Sequence, residues 1–323
     1  MKSIASAFLA GLTLTLASGA ALAQAYPSKP IRWVVPYPAG GGSDFLARTI
    51  GQQLSTQIGQ SVVVENKPGG NTAIAASDVA RAPADGYTML SADNGTMTFN
   101  TALYSKLTYN PDKDLTPVTL MGRFPMILVV GPGSDAKDAK DFIAKAKAAP
   151  GKISYGSAGA GSPHHMAMEL LKTRTGLHMV HIPYRGAAPA LGDLAGGQIP
   201  AMMVDLAAGA GFIKSGKVRA LAVANDKRLP QLPDVPTFAE LGFKGVEAAA
   251  LVGLVAPAGV PADVVSALQK QVKAAIDQPA VKQKLIEFGV EPVGSTPAEY
   301  GALLKSEVTR WHKLIKDLKI TLD

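Results

Sequence analysis

The residues with the clearest capacity for chemistry are Pro36-Tyr37-Pro38-Ala39-Gly40-Gly41-Gly42-Ser43-Asp44. They follow an apolar run of strand length, Ile31–Val35, and open a stretch of helical periodicity. Three consecutive glycines leave backbone N–H groups uncovered, and a helix start adds roughly half a positive charge. Together these form a nest for a carboxylate or a phosphate. No lysine follows in a GxxxxGK[ST] pattern, and GxGxxG is not matched, which argues against nucleotide and dinucleotide sites. The same residues also suit a tight strand-to-helix turn in which Ser43 or Asp44 merely caps. The loop alone leaves both readings open.

A second glycine-rich segment, Tyr155-Gly156-Ser157-Ala158-Gly159-Ala160-Gly161-Ser162-Pro163, again joins a strand to a helix. Pro163 suits the first helical position. Two such loops facing one another would suit a dicarboxylate, one carboxylate to each. The segment is not a GxSxG nucleophile elbow, because Tyr155 stands where the first glycine should be. Asn94 and Thr96 follow a strand and offer neutral hydrogen bonds or a capped turn. His164 and His165 begin a helix, with Glu169 one turn beyond His165. A metal would need further ligands, and HExxH is absent, so the histidines read as cleft-edge residues or a surface pair. His178 and His181 read as structural. Arg185 ends a strand and can fork onto a carboxylate or join a local salt bridge. Asp205 can orient a helix start or receive a polar ligand group. Neither cofactor nor metal is expected.

The elements that must position these residues alternate from one end of the chain to the other. Ile31–Val35, Val62–Val64 and Tyr87–Leu90 read as strands, separated by a helix carrying Leu46, Ile50, Leu54 and Ile58 and by Ala73–Ala82. This is the order of a doubly wound α/β sheet. The middle repeats it, with strands at Met126–Val130, Ile153–Tyr155, Met179–Ile182, Ile199–Val204 and Val218–Val223. Helices are expected near Ala136–Ala148, Pro163–Thr175, Ala187–Ala195 and Leu206–Ser215. Thr237-Phe238-Ala239-Glu240 fits a capping box, Ala248–Ala256 is extended, and only helices are expected after it. Those helices, one opened by Pro261 and one by the box Thr296–Glu299, need a sheet to cover. The amino-terminal strands supply one, so two lobes joined near Leu115–Gly122 and Val246–Val255 follow, with a ligand cleft between them.

The ends and the composition limit the function further. Lys2, an uncharged stretch Ile4–Leu22 and Ala21-Leu22-Ala23 read as an export signal, cut after Ala23 or Ala25. No later window is long and apolar enough to span a bilayer, so a soluble periplasmic product is expected. The chain carries a net charge of +7 without a basic run or an aromatic-interleaved stripe, which argues against nucleic acid. With no cysteine, thiolate catalysis and disulfides are excluded.

The chain resembles the periplasmic receptors of the tripartite tricarboxylate transporters, also called Bordetella uptake proteins, from Tyr26 to Asp323. The resemblance rests on Tyr26-Pro27-Ser28-Lys29-Pro30-Ile31, Val35–Gly41 with Asp44 and Ala47-Arg48, and Val64-Glu65-Asn66-Lys67-Pro68-Gly69. It continues through Pro83–Thr88, Tyr155-Gly156-Ser157, Pro183-Tyr184-Arg185-Gly186 and Gly216–Ala222. It implies a two-lobed Venus-flytrap fold that closes on an organic acid and delivers it to a two-subunit inner-membrane permease. The lobes would comprise residues 26–120 with 249–323, and 121–248, in a monomer. It further implies ligand contacts at Tyr37, Ala39, Gly40, Gly41, Gly42, Ser43 and Asp44. Asn94, Thr96, Ser157, Ala158, Gly159 and Gly161 join them, with His164, Arg185 and Asp205. The chain departs from the family pattern at Tyr37, where Phe is commoner, and at Gly69–Ala75, which has fewer glycines. Two rival readings share these residues: a periplasmic hydrolase or lyase using His164 or His165, and a soluble sensor for a signalling partner.

Overall fold

The computed structural model describes residues 26–323; the export-signal reading falls on residues outside that range. The chain opens with β1 (Ile31–Val35), α1 (Gly42–Ile58), β2 (Val62–Asn66), α2 (Ala73–Ala80) and β3 (Thr88–Ala92). β1 lies between β2 and β3, parallel to both, which is why four of its five residues are buried. Its one polar residue, Arg32, is held at 2.7 Å by both Glu65 and Asp78. α1 turns Leu46, Ile50 and Leu54 into the core and ends at Gly59, whose left-handed backbone (φ 66°) closes the last turn.

After β3 come a π-helical turn, Gly95–Phe99, and two short helices, α3 (Asn100–Leu103) and α4 (Pro111–Asp114). β4 (Leu115–Val130) follows. The second lobe is α5 (Ala139–Ala148), β5 (Ser154–Ser157), α6 (Pro163–Thr175), β6 (Val180–Pro183), α7 (Ala187–Ala195), β7 (Ala201–Asp205), α8 (Leu206–Lys214) and β8 (Arg219–Ala224). The chain then returns through β9 (Ala249–Pro257), α9 (Ala262–Asp277), α10 (Pro279–Glu287), β10 (Glu291–Pro292) and α11 (Pro297–Asp317).

One sheet runs β2-β1-β3-β9-β4, with β10 also on β4; the other runs β8-β4-β7-β5-β6. β4 belongs to both. Its first part, through Pro125, pairs with β9, and from Met126 onward it pairs with β7 and β8. The crossing therefore lies at Pro125–Met126, beyond Leu115–Gly122, where the sequence points. That earlier segment sits inside the first sheet, and two register shifts beside Pro117 and Gly122 hide the strand's continuity. The return crossing is at Ala248–Ala249, where Ala248 hydrogen-bonds Ala224 and Met126.

The carboxy-terminal helices cover the first sheet. α11 begins with the expected reciprocal box: Thr296 Oγ1 accepts from Glu299 N–H, and Glu299 accepts from Thr296 N–H. Thr237 and Glu240 make the same two bonds but close only a turn, since no apolar helical stripe follows them. β10 interrupts the expected run of helices because Glu291–Pro292 adds to the exposed edge of β4. Among the described residues no helix is long and apolar enough to cross a membrane.

Candidate functional site

A cavity of about 260 Å³ lies between the lobes, at the carboxyl ends of the parallel strands. Four helices, α1, α6, α7 and α8, place their first residues along it. Each helix start carries N–H groups that its own turns cannot satisfy. In α6 and α8 a side chain takes one of them: Ser162 Oγ accepts from His165 N–H, and Asp205 Oδ1 accepts from Ala208 N–H. α1 and α7 are preceded instead by Gly41 and Gly186, and neither has a side-chain cap. Two uncapped helix starts, one in each lobe, thus line the same cavity. Both favour negative charge through their amides and their dipoles.

The three glycines of the first loop do different work. Gly40 has φ 86°, a left-handed conformation that side chains resist. Gly41 is ordinary extended backbone (φ −84°, ψ 173°), and a Cβ there would meet only Pro38 O, at 3.8 Å. Gly42 is the close approach: a Cβ would come within 3.1 Å of the Phe124 ring and 3.2 Å of Ala207. Asp44 does not line the cavity. Its carboxylate folds back to accept from Gly40 N–H at 3.0 Å, Asn66 at 2.9 Å and Arg48 at 3.0 Å. Burial alone would raise its carboxyl, but these donors outweigh that and hold it below the ordinary carboxylate range. Asp44 therefore shapes the loop from behind.

Tyr37, Ala39–Ser43, Ala158, His164, Arg185 and Asp205 line the cavity as the sequence suggests; Asp44, Asn94, Thr96, Ser157, Gly159 and Gly161 do not. Asn94 instead ties β3 to β9, its Oδ1 accepting from Leu251 N–H at 2.6 Å. Thr96 lies behind Asp93, which also accepts from the Tyr37 hydroxyl. Gly161 faces Asn71, Leu103 and Leu322, so it packs one lobe on the other. His164 and His165 are buried rather than a surface pair. Arg185 lines the cavity, is exposed, and makes no ion pair among the described residues, so the local salt bridge is absent.

His164 Nε2 lies 3.0 Å from Asp205 Oδ2. His165 lies behind the second loop, its ring stacked on that of His181 at 3.9 Å. Burial is the main force on both, lowering His165 to about 4 and His181 to about 3, so both are neutral near pH 7. Ser157 Oγ and His181 Nε2 are 2.6 Å apart, yet neither lines the cavity. No group of three or more potential metal ligands occurs among the described residues.

Sequence reasoning missed Asp93, Phe124, Ala187–Pro189, Leu191, Ala207, Ala208, Phe212, Ala250 and Val252. Most are apolar wall residues, which carry no chemical pattern. The start of α7 was findable: Gly186 directly before a helical run, with no capping side chain, repeats the signal of Gly41.

The family model described as the tripartite tricarboxylate transporter family receptor matches residues 46–320. A Pseudomonas sp. (strain P51) protein described as a UPF0065 protein in the tcbD-tcbE intergenic region is 39% identical over 97% of this chain and 94% of its own length. Protein BugT of Bordetella pertussis is 33% identical over 91% of each chain. Among solved structures, R. palustris Rpa4515 with adipate is 37% identical, with a TM-score of 0.87 over 90% of this chain and 97% of that one. MatC from Rhodopseudomonas palustris with bound malate is 32% identical, with a TM-score of 0.83 over 90% of this chain and 100% of that one. These matches span both lobes, and the chain belongs to the tripartite tricarboxylate transporter family of receptors.

Proposed function

We propose that this chain is an exported, periplasmic receptor that closes on a small organic carboxylate and hands it to a tripartite tricarboxylate-type permease. The observation that carries the reading is the pair of uncapped helix starts, α1 and α7, lining one cavity from opposite lobes. A buried carboxylate is tolerable only when donors surround it, and these amides, Ser43 and Arg185 are donors. Phe124, Leu191, Phe212, Ala250 and Val252 form the walls, so the body of the ligand is apolar. The volume lies below the roughly 300–1,000 Å³ usual for larger ligands, so the acid is small. The structural relatives solved with adipate and with malate support the same class.

The test is a thermal-shift panel of citrate, malate, glutamate, nicotinate, adipate, phthalates and terephthalate on protein refolded to remove bound ligand. A ligand at a hundredfold excess over its Kd should stabilise the fold by about 2.7 kcal/mol. No shift with any organic acid would sink the reading. The hydrolase alternative has less support: Ser157 and His181 form a nucleophile–base pair, but both stand away from the cavity lining. Bound ligand is expected back unchanged after long incubation. Export with cleavage after Ala23 or Ala25 is checked by amino-terminal sequencing of the periplasmic product, and permease delivery by co-purification with the two membrane subunits.

A further inference from the structure

Two contacts join the lobes without lining the ligand cavity, and each sets a glycine of one lobe against a leucine of the other. Gly161, from the second lobe, faces Asn71, Leu103 and Leu322 of the first. A Cβ there would come within 2.7 Å of Leu103 and 2.9 Å of Leu322. Gly289, from the first lobe, faces Leu206 of the second, and Leu206 Cγ and Cδ2 would both lie 2.8 Å from a Cβ. Both glycines have left-handed backbones, φ 77° and φ 82°.

Each contact is braced from behind. Gly161 N–H donates to His165 Nδ1 at 3.1 Å, in the first turn of α6. Across from it, Asn71 Nδ2 donates to Asn100 Oδ1 and Asn100 Nδ2 donates to Asn71 O, both at 2.7 Å. These bonds hold Asn71 at φ 45°, a conformation uncommon outside glycine. Leu322 N–H donates to Leu103 O at 2.9 Å, and Ser105 N–H donates to the Asp323 carboxylate, so Leu322 is tied to α3. Gly289 N–H donates to Ile286 O at 2.8 Å, and that same oxygen accepts from Gln231 of the second lobe. Packed side chains compress little, so the missing Cβ at each glycine decides where the two surfaces stop.

We infer that Gly161 and Gly289 are paired closure stops, each letting the lobes approach to the separation of this structure and together fixing the population of the closed form. The effect on affinity rests on the carboxylate-receptor reading above; the effect on lobe separation does not. Rotation about the crossings at Pro125–Met126 and Ala248–Ala249 is what brings each glycine against its leucine. A stop outside the cavity acts on every ligand alike. When the competent form is only partly populated, the apparent Kd rises by the inverse of that fraction, whatever the acid. A contact inside the cavity would instead separate one acid from another.

The chain has no cysteine, so Gln52→Cys in α1 and Lys214→Cys in α8, both exposed, place one spin label in each lobe. The full mature chain, refolded free of ligand, is measured by double electron–electron resonance, and adipate and malate are then titrated calorimetrically. Without ligand, Gly161→Ala and Gly289→Ala should each move the label-to-label distances to longer values. In Gly161→Ala the Kd of each acid that binds should rise about tenfold, by the same factor to within about twofold. Leu322→Ala should weaken wild-type binding slightly by removing a contact. In the Gly161→Ala background it should instead recover at least about threefold, because it makes room. Backbone strain at Gly161 alone would allow no such recovery. Should Gly161→Ala fold poorly by circular dichroism, Leu322→Trp fills the same space from the first lobe and should reproduce both effects. Unchanged distances, weakening confined to one of two acids that bind, or no recovery with Leu322→Ala would overturn the inference. Binding of neither acid would overturn the receptor reading instead, and the ligand-free distances would still decide the stops.

Discussion

Gly41 and Gly42 are adjacent, yet they should respond to substitution in opposite ways. Gly41 has a backbone any residue adopts and open space around a would-be Cβ. Gly41→Val should therefore fold with an unchanged circular dichroism spectrum while losing ligand affinity by about a hundredfold, because the branched side chain blocks approach to the α1 amides. Retained affinity in titration would place the clamp elsewhere. Gly42→Ala puts a methyl against Phe124 and Ala207, so the lobes must part slightly before they close. Asp44→Ala removes the acceptor that gathers Gly40, Arg48 and Asn66. With Arg48 half exposed, the expected cost is about 1–3 kcal/mol in urea denaturation, with weaker ligand binding as the loop loosens. The sequence made the glycine triad legible as an anion-friendly loop. It did not reveal the separate tasks of the three glycines, nor that Asp44 faces away, because those depend on Arg48, Asn66, Phe124 and Ala207 arriving from elsewhere in the chain.

At the scale of elements, the informative contrast is between α6 and α7. Both follow glycine-rich turns, and the sequence favours α6 because its loop is longer and richer in glycine. Yet α6 opens with Pro163, which has no N–H, and Ser162 caps it; α7 opens with two free alanine amides and no cap. The prediction is that Ala187→Pro weakens ligand binding by about tenfold to a hundredfold, the range for one hydrogen bond to a charged group. Proline is favoured at a first helical position, so melting without ligand should stay within a degree or two of wild type, roughly the error of a neutral surface change. Unchanged affinity in titration would remove α7 from the clamp. Most strands were readable because strands buried on both faces show nearly continuous apolar runs, as β1 does apart from Arg32. β4 was readable only in its second half, Met126–Val130, since Pro117, Gly122 and Pro125 break the earlier run where the register shifts and the sheet changes. The π-helical turn at Gly95–Phe99 is held by a local bond from Thr96 N–H to Asp93 and by the Tyr109 hydroxyl, which donates to Thr96 O from thirteen residues on.

Across the whole molecule, the buried histidine pair sets how stability responds to acid. His165 and His181 lie behind the second loop, with folded-state values lowered to about 4 and about 3 against an unfolded value near 6.5. Below about pH 6.5 the unfolded chain takes up protons that the folded chain refuses, so ν is larger in the unfolded state and stability falls as pH falls. The stabilisation is complete above that range and is lost progressively down to about 4 for His165 and about 3 for His181. For His165, buried almost completely, the loss approaches about 1.4 kcal/mol per pH unit, or about 2 kcal/mol between pH 6.5 and pH 5. His181 is more exposed and contributes in the same direction with a smaller share. The depressed carboxyls of Asp44 and Asp205 lose their stabilisation only from the ordinary carboxylate value downward, so they contribute little between pH 7 and pH 5. Urea midpoints measured from about pH 7 to about pH 5 should therefore fall in wild type and flatten in His165→Phe, which keeps a flat ring against His181. A slope unchanged by that substitution would mean the proton uptake belongs to other groups. Because neither histidine lines the cavity, ligand affinity over the same range should not follow the stability curve, and that separates acid lability of the second lobe from any titration of the binding site itself.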